Sequence, residues 1–464
     1  MVSSGMSAAG YKYVVVDDCW MNPNRDSAGN LQGDPSRFPS GMKALGDYIH
    51  GKGLKFGIYQ APLTETCAQY FDSYPGSTGA LGHEEQDARQ FAAWGVDYLK
   101  YDWCSPSGTI DDQVRTFAKM RDALAATGRP IVYSINPNSI HDKTGPRRNW
   151  GDVANMWRTT EDITNKWDTG QTNGYPMGIQ NIVNVTVPLA SYAGPGAFND
   201  QDMLEVGRGG MNDTEMRSHF ALWAIMASPL IAGNDLRNMD TATSTILKNA
   251  NLIAINQDSL AQQAQEITND GTRRVLAKRL SNGEVAVALF NQGSTATTIS
   301  AAPYSIGLEG VSVTLRDVWT NAVTSTSSSI TATVPAHGTV VYRAKGSGWP
   351  TTTTTPKPAA SCRVANTTNA WGTGLTADIT ITNTGTTSIS GWSLAFTLAP
   401  GQTITSGWNA TYAPSSGQVT ARNLAHNATI APGASVSTGF QATHTGDTAQ
   451  PTGYALNGAT CTTS

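Results

Sequence analysis

The chain has 464 residues, too many for a single hydrophobic core, so two or three domains are expected. Charged residues make up only 14% of it and the formal net charge is −4, so no basic surface for nucleic acid or an anionic membrane is indicated. The longest apolar run, residues 220–233, falls short of the ~20 residues of a membrane span and contains Pro229, and the opening Met1-Val-Ser-Ser-Gly has neither the charged nor the apolar region of a signal peptide.

In chain order, Tyr11-Lys-Tyr-Val-Val-Val is an apolar β-branched run that ends in two carboxylates, Asp17 and Asp18. Residues 54–59 predict a second short strand, with Cys67 in the loop after it, and residues 84–94 a helix. The stretch from Trp94 to Cys104 predicts a buried strand over 98–101 running into Asp102. Side chains alternate along a strand, so Lys100 and Asp102 project to the same side. A salt bridge alone accounts for one such pair, but the pattern recurs. Thr109-Ile-Asp-Asp112 is a helix start with a capping side chain, and Val114, Phe117, Met120 and Leu124 recur at helical spacing. Residues 131–134 form the next strand. Trp157-Arg-Thr-Thr-Glu-Asp162 and Phe198-Asn-Asp-Gln-Asp202 again place acids beyond short apolar runs. Residues 216–227 predict a helix, and 229–232 a last buried strand.

Strands alternating with helices argue for parallel βαβ units. In a closed α/β barrel the carboxyl ends of the strands open on one face, where Asp17, Asp18, Asp102, Asp162 and Asp202 would meet around one cleft beside Lys100 and Arg158. From about residue 273 the strands follow one another without helices, as in an antiparallel β domain. A Thr/Pro-rich linker then precedes a unit rich in Thr, Gly and Asn. Cys362 and Cys461 stand at its two ends, which suggests a closing disulfide and a secreted protein. The expected division is 1–262 barrel, 263–346 antiparallel β domain, 347–360 linker and 361–464 all-β module.

Asp17-Asp-Cys-Trp20, Lys55-Phe-Gly-Ile-Tyr59, Gly82-His-Glu-Glu-Gln-Asp87, Tyr98-Leu-Lys-Tyr-Asp102, Trp157-Arg158 with Asp162, Asn199-Asp-Gln-Asp-Met203 and Ala254-Ile-Asn-Gln-Asp258 together resemble glycoside hydrolase family 27, the retaining α-galactosidases and α-N-acetylgalactosaminidases. Asn383-Thr-Gly385, Gly391-Trp392, Trp408-Asn409 and Asn457-Gly458 resemble a family 2 carbohydrate-binding module. The resemblance implies a (β/α)8 TIM barrel, an antiparallel β-sandwich and an all-β binding module. It makes Asp102 the nucleophile and Asp162 the acid/base. Asp17 and Asp18 would hold O4 and O6 of a galactose, Lys100 would contact O3 and O4, and Arg158 would contact O2. Tyr59 and Met203 would line the pocket, and Asp202 would support Arg158 or Asp162. Cys67 would pair with Cys104. No metal or other cofactor is implied: His83, Glu84 and Glu85 match no ligand spacing. The expected partners are α-galactosides and plant polysaccharide.

A retaining enzyme needs one carboxylate to attack and one carboxylic acid to protonate the leaving oxygen. Lys100 is therefore expected to keep Asp102 ionised, and Asp162 to sit in a less polar setting or beside a like charge. Three departures from the family stand out. Ser134-Ile-Asn-Pro-Asn-Ser139 occupies the place of a Cys-Glu-Trp stretch, so Asn136 and Ser139 would meet the sugar 2-position. His426 stands where a third platform tryptophan is usual beside Trp371 and Trp408, while Trp392 reads as core. Finally, residues 1–10 correspond to the tail of the family's first helix, so the barrel is expected to lack its first strand, with seven strands and an unpaired Cys19.

Overall fold

A computed structural model describes residues 1–308, 312–346, 362–386, 388–413, 415–457 and 459–463. The linker expected at 347–360, Val311 and Gly458 lie outside them. The chain forms two compact units, Met1–Pro350 and Thr351–Ser464.

The first unit begins with parallel strands β1 (Tyr13–Val15), β2 (Lys55–Gln60), β3 (Tyr98–Asp102), β4 (Val132–Asn136), β5 (Met156–Arg158) and β6 (Phe198–Asp200). They lie side by side in chain order, the ladder of an α/β barrel wall. Helices Gly41–Gly51, Glu84–Trp94 and Ile110–Ala126 connect them. The last starts at the expected capping box, in which Thr109 Oγ1 accepts from Asp112 N–H while Asp112 accepts from Thr109 N–H. At the amino ends of the strands, Asp97 accepts from Phe56 N–H at 2.9 Å and pairs with Arg129 at 2.6 Å, which ties β3 to β2 and to the turn before β4.

The wall is open. Residues 229–232 contribute a single parallel bridge, Leu204↔Ala232, instead of the buried strand expected there, and they are only partly buried. Six strands and one bridge therefore replace the seven strands expected. Between residues 229–232 and β1 a cavity of about 1270 Å³ opens, lined by Met6, Tyr13, Val15, Tyr98, Phe198 and Leu230 among others.

Helix Asp213–Ile225 packs against the antiparallel domain, with its Phe220, Leu222 and Ile225 sharing a core with Ala286, Phe290 and Val341. That domain contains β7 (Gln265–Asn269), β8 (Arg273–Arg279), β9 (Val285–Asn291), β10 (Thr297–Ala301), β11 (Val313–Asp317), β12 (Val323–Thr326), β13 (Ile330–Val334) and β14 (Thr339–Gly346). Six of these strands form one sheet in the order β12-β11-β14-β9-β8-β7, and β10 pairs with β13.

The second unit is an all-β module with two five-stranded sheets, closed by the Cys362–Cys461 disulfide. Strand Gly374–Asn383 buries Leu375, Ala377, Ile379 and Ile381, so Gly374 and Asp378 face outward. Trp371 pairs with Gly374, and Trp408 pairs with Gly439, which pairs with Asp378. Both tryptophans therefore stand on the same outer face, 50% and 37% exposed. Trp392 is buried in the core, as its sequence context indicates, and His426 is exposed.

Candidate active site

Strand register explains how distant residues meet. Tyr59 pairs with Lys100, Lys100 with Ser134, Ser134 with Met156 and Met156 with Phe198, which forms one level of inward-facing side chains. Two residues further on, Asp102 pairs with Asn136, and Arg158 pairs with Asp200. Because side chains alternate, these four project to the same side as the level below, at the carboxyl ends of the strands.

Lys100 is the hub of the lower level. Its Nζ donates to Asp17 Oδ2 at 2.8 Å, lies 3.8 Å from Asp102 Oδ2 and sits 5.3 Å from the centre of the Tyr59 ring. Burial opposes its charge, but Asp17, Asp102, Asp202 and Asp162 hold it well above the ordinary lysine range. Asp17 feels some desolvation, yet Lys100 keeps its carboxyl below the usual range. Asp18 turns both oxygens to backbone: Oδ1 accepts from Cys19 N–H at 2.6 Å and Oδ2 from Ala68 N–H at 2.9 Å. Tyr59 is buried, and its hydroxyl accepts from Cys67 N–H at 3.3 Å. The Cys67–Cys104 disulfide then joins this loop to the segment just after Asp102.

Asp102 departs from expectation. Burial pushes its carboxyl up to about 6, with Asp162 and Asp17 adding to the shift against Lys100 and Arg158. Lys100 at 3.8 Å is thus too distant to outweigh the desolvation of a side chain that is 12% exposed. Asp102 Oδ1 is buried without a hydrogen-bond partner among the described residues.

Arg158 is the second hub. Its guanidinium lies 3.2 Å from Asp162 Oδ1 and 2.9 Å from Asp202 Oδ2. Burial again opposes its charge, and Asp202, Asp162, Asp200 and Asp102 outweigh it. Asp202 holds the loop of Asp162 as well as the arginine, since its Oδ2 accepts from Ile163 N–H at 2.9 Å. Asp162 itself is 59% exposed and ion-paired to Arg158, so of the two expected settings it has the like-charged neighbours, Asp102 and Asp202, rather than less polar surroundings. Met203 is partly buried beside Gly233 and donates its N–H to Asp202 Oδ1.

Two residues were missed from the sequence. Asp200 is buried at the level of Asp102, and burial pushes it up to about 6, helped by Asp202 and opposed by Arg158. Its Oδ1 accepts from the N–H of Asp202, which sits at φ 74°. The signal was the period-two spacing from Phe198, which places the first acid of Asn199-Asp-Gln-Asp202 inward. Asn138 is the other. It donates to the carbonyls of Arg158 and Thr160 and accepts from Gly145 N–H, pinning the loop after β4 over β5. Asn136 accepts from Asn138, so its amide is already engaged, and Ser139 is buried in the same loop.

Three family models match: one described as alpha galactosidase A over residues 1–258, one as the alpha galactosidase C-terminal beta sandwich domain over 270–344, and one as a cellulose binding domain over 360–461. Alpha-galactosidase 2 of Arabidopsis thaliana is 45% identical over 344 residues, 74% of this chain and 82% of that protein. Alpha-galactosidase A of Cellvibrio japonicus is 42% identical over 360 residues, 74% of this chain and 85% of that one. Among solved structures, alpha-galactosidase I from Mortierella vinacea superposes with a TM-score of 0.69 at 36% identity, covering 74% of this chain and 90% of that one.

Proposed function

Because the chain belongs to the alpha galactosidase A family, we infer that its barrel cleaves terminal α-D-galactosyl residues with retention, using Asp102 and Asp162. The chain is a glycoside hydrolase acting on galactosides and carries a polysaccharide-binding module. The observation that carries the residue roles is the register of the strands, which sets Asp102 at one level with Arg158 and ties Arg158 to Asp162.

In the first step a carboxylate oxygen of Asp102 bonds to the anomeric carbon. The bond from that carbon to the glycosidic oxygen breaks, and the departing oxygen takes the proton of Asp162. Water then attacks the anomeric carbon, its proton passes to Asp162, and the ester to Asp102 breaks. Asp102 is suited to attack because its Oδ2 lies 3.8 Å from Lys100 Nζ, within reach of the cation's attraction but beyond hydrogen-bonding distance. Ionising it requires a pH above about 6. Asp162 must be protonated when the substrate is bound. Asp17, Asp18, Tyr59, Lys100, Asn136, Arg158, Asp202 and Met203 form the sugar pocket, with charged groups set to reject an epimer. Trp371 and Trp408 form the platform by which the module, in a secreted enzyme, holds plant polysaccharide.

Incubation with 2-deoxy-2-fluoro-α-D-galactosyl fluoride, followed by peptide mass mapping, tests this reading. It expects the sugar esterified to Asp102 and α-galactose as the first-formed product from p-nitrophenyl α-D-galactopyranoside. β-Galactose as the first product, or label on another residue, refutes it.

A further inference from the structure

Exposed apolar side chains are few on this surface, and two of them stand on loops tied to the backbone around Asp162. Tyr175 is 71% exposed and Ile140 63%. Tyr175 lies on the same loop as Asp162. Met177 N–H donates to the Asp162 carbonyl at 2.9 Å, Ile163 bridges to Met177, and Asn173 Oδ1 accepts from Glu161 N–H at 3.1 Å. Tyr175 stands two residues from Met177, a Cα path of at most ~7.6 Å. Ile140 reaches the same place from the loop after β4. Lys143 donates to the Ser139 carbonyl and forms an ion pair with Glu161, the neighbour of Asp162. Two loops are thus tied to the segment that carries Asp162, each presenting an apolar side chain to solvent. Neither side chain makes a hydrogen bond or ring contact among the described residues.

We propose that Tyr175 and Ile140 form a binding site for the sugar that carries the galactosyl group. The proposal rests on the reading of Asp162 as the acid/base. The group that protonates the glycosidic oxygen stands beside the leaving sugar, so whatever flanks Asp162 meets that sugar first. A pyranose presents an apolar C–H face, and an open aromatic ring and a branched aliphatic side chain complement it by dispersion. Fixing the leaving sugar holds the glycosidic oxygen against Asp162, and the two clamped loops make the site ready-formed.

The test compares two substrates, methyl α-D-galactopyranoside and a mannotriose bearing one α-1,6-linked galactosyl unit. In Tyr175→Ala the ratio of kcat/KM for the oligosaccharide to that for the methyl glycoside falls about tenfold, mainly through KM. Adding Ile140→Ser lowers it further, and Tyr175→Phe restores it. The ratio does not depend on how much of a variant is folded. A ratio that stays at the wild-type value in the double variant overturns the proposal. Failure of the underlying reading shows separately, as an Asp162→Asn variant that loses activated and unactivated substrates equally.

Discussion

Replacing Asp102 by asparagine should make the barrel more stable while abolishing turnover. The carboxyl is moved from 3.8 to about 6 by burial, against the pull of Lys100 and Arg158. A shift of roughly 2 units corresponds to roughly 3 kcal/mol. The sign follows from linkage: the folded chain holds the proton more tightly than the unfolded one, so ionising Asp102 costs stability. The penalty is absent below about pH 3.8, grows between there and about 6, and is constant above that. Asparagine mimics the protonated acid and removes the penalty. Calorimetry of the full chain at pH 7.5 should therefore place the barrel transition of Asp102→Asn about 5 °C above wild type, with most of the gap gone at pH 4. A variant no more stable at pH 7.5, or one whose advantage persists undiminished at pH 4, refutes the reasoning.

The same carboxyl should govern the acid limb of activity, with kcat/KM falling as pH drops through about 6, which a pH–rate profile on an aryl galactoside checks. Asp202→Ala frees Arg158 and the Ile163 N–H together, so it should slow alkyl galactosides far more than dinitrophenyl ones, read as the ratio of their kcat/KM values. Asn138→Ala removes the side-chain donor to the Arg158 carbonyl and one of two donors to the Thr160 carbonyl, which keeps Arg158 Nη2, and should cost about 1–2 kcal/mol in urea unfolding. Trp371→Ala and Trp408→Ala should each weaken retention on insoluble cellulose in a pull-down without altering hydrolysis of a soluble galactoside.

Much of the site was legible because strands announce themselves. Val14, Val15 and Val16 before Asp17, and the alternation through Tyr98, Lys100 and Asp102, fix both an element and the direction of its side chains. What stayed hidden depends on neighbours. Asp200 closes β6 and Asp202 follows it, and the pairing of Arg158 with Asp200 shows that Asp200 faces inward. Lys100 beside Asp102 suggests an ionised carboxylate, but whether attraction or desolvation wins is decided by a distance of 3.8 Å and by burial. The segment at 229–232 has the composition of a buried strand but makes only a single bridge, Leu204↔Ala232.

The ladder that brings these residues to one level is discrete. A strand slips against its neighbour by whole residues, and a slip of one turns every inward group outward. One residue inserted between Tyr98 and Asp102 would send Lys100 or Asp102 into the helical layer, whereas several residues inserted at 61–83 would leave the parity of every strand untouched. Insertion scanning should therefore show activity surviving in loops that carry no site side chain and vanishing within β2 to β6 and wherever an insertion displaces Asp17, Asp18, Asp162 or Asp202. Diversification of such a cleft is free to lengthen what surrounds the sugar and is barred from adjusting, by anything finer than two residues, where the reacting carboxylate stands.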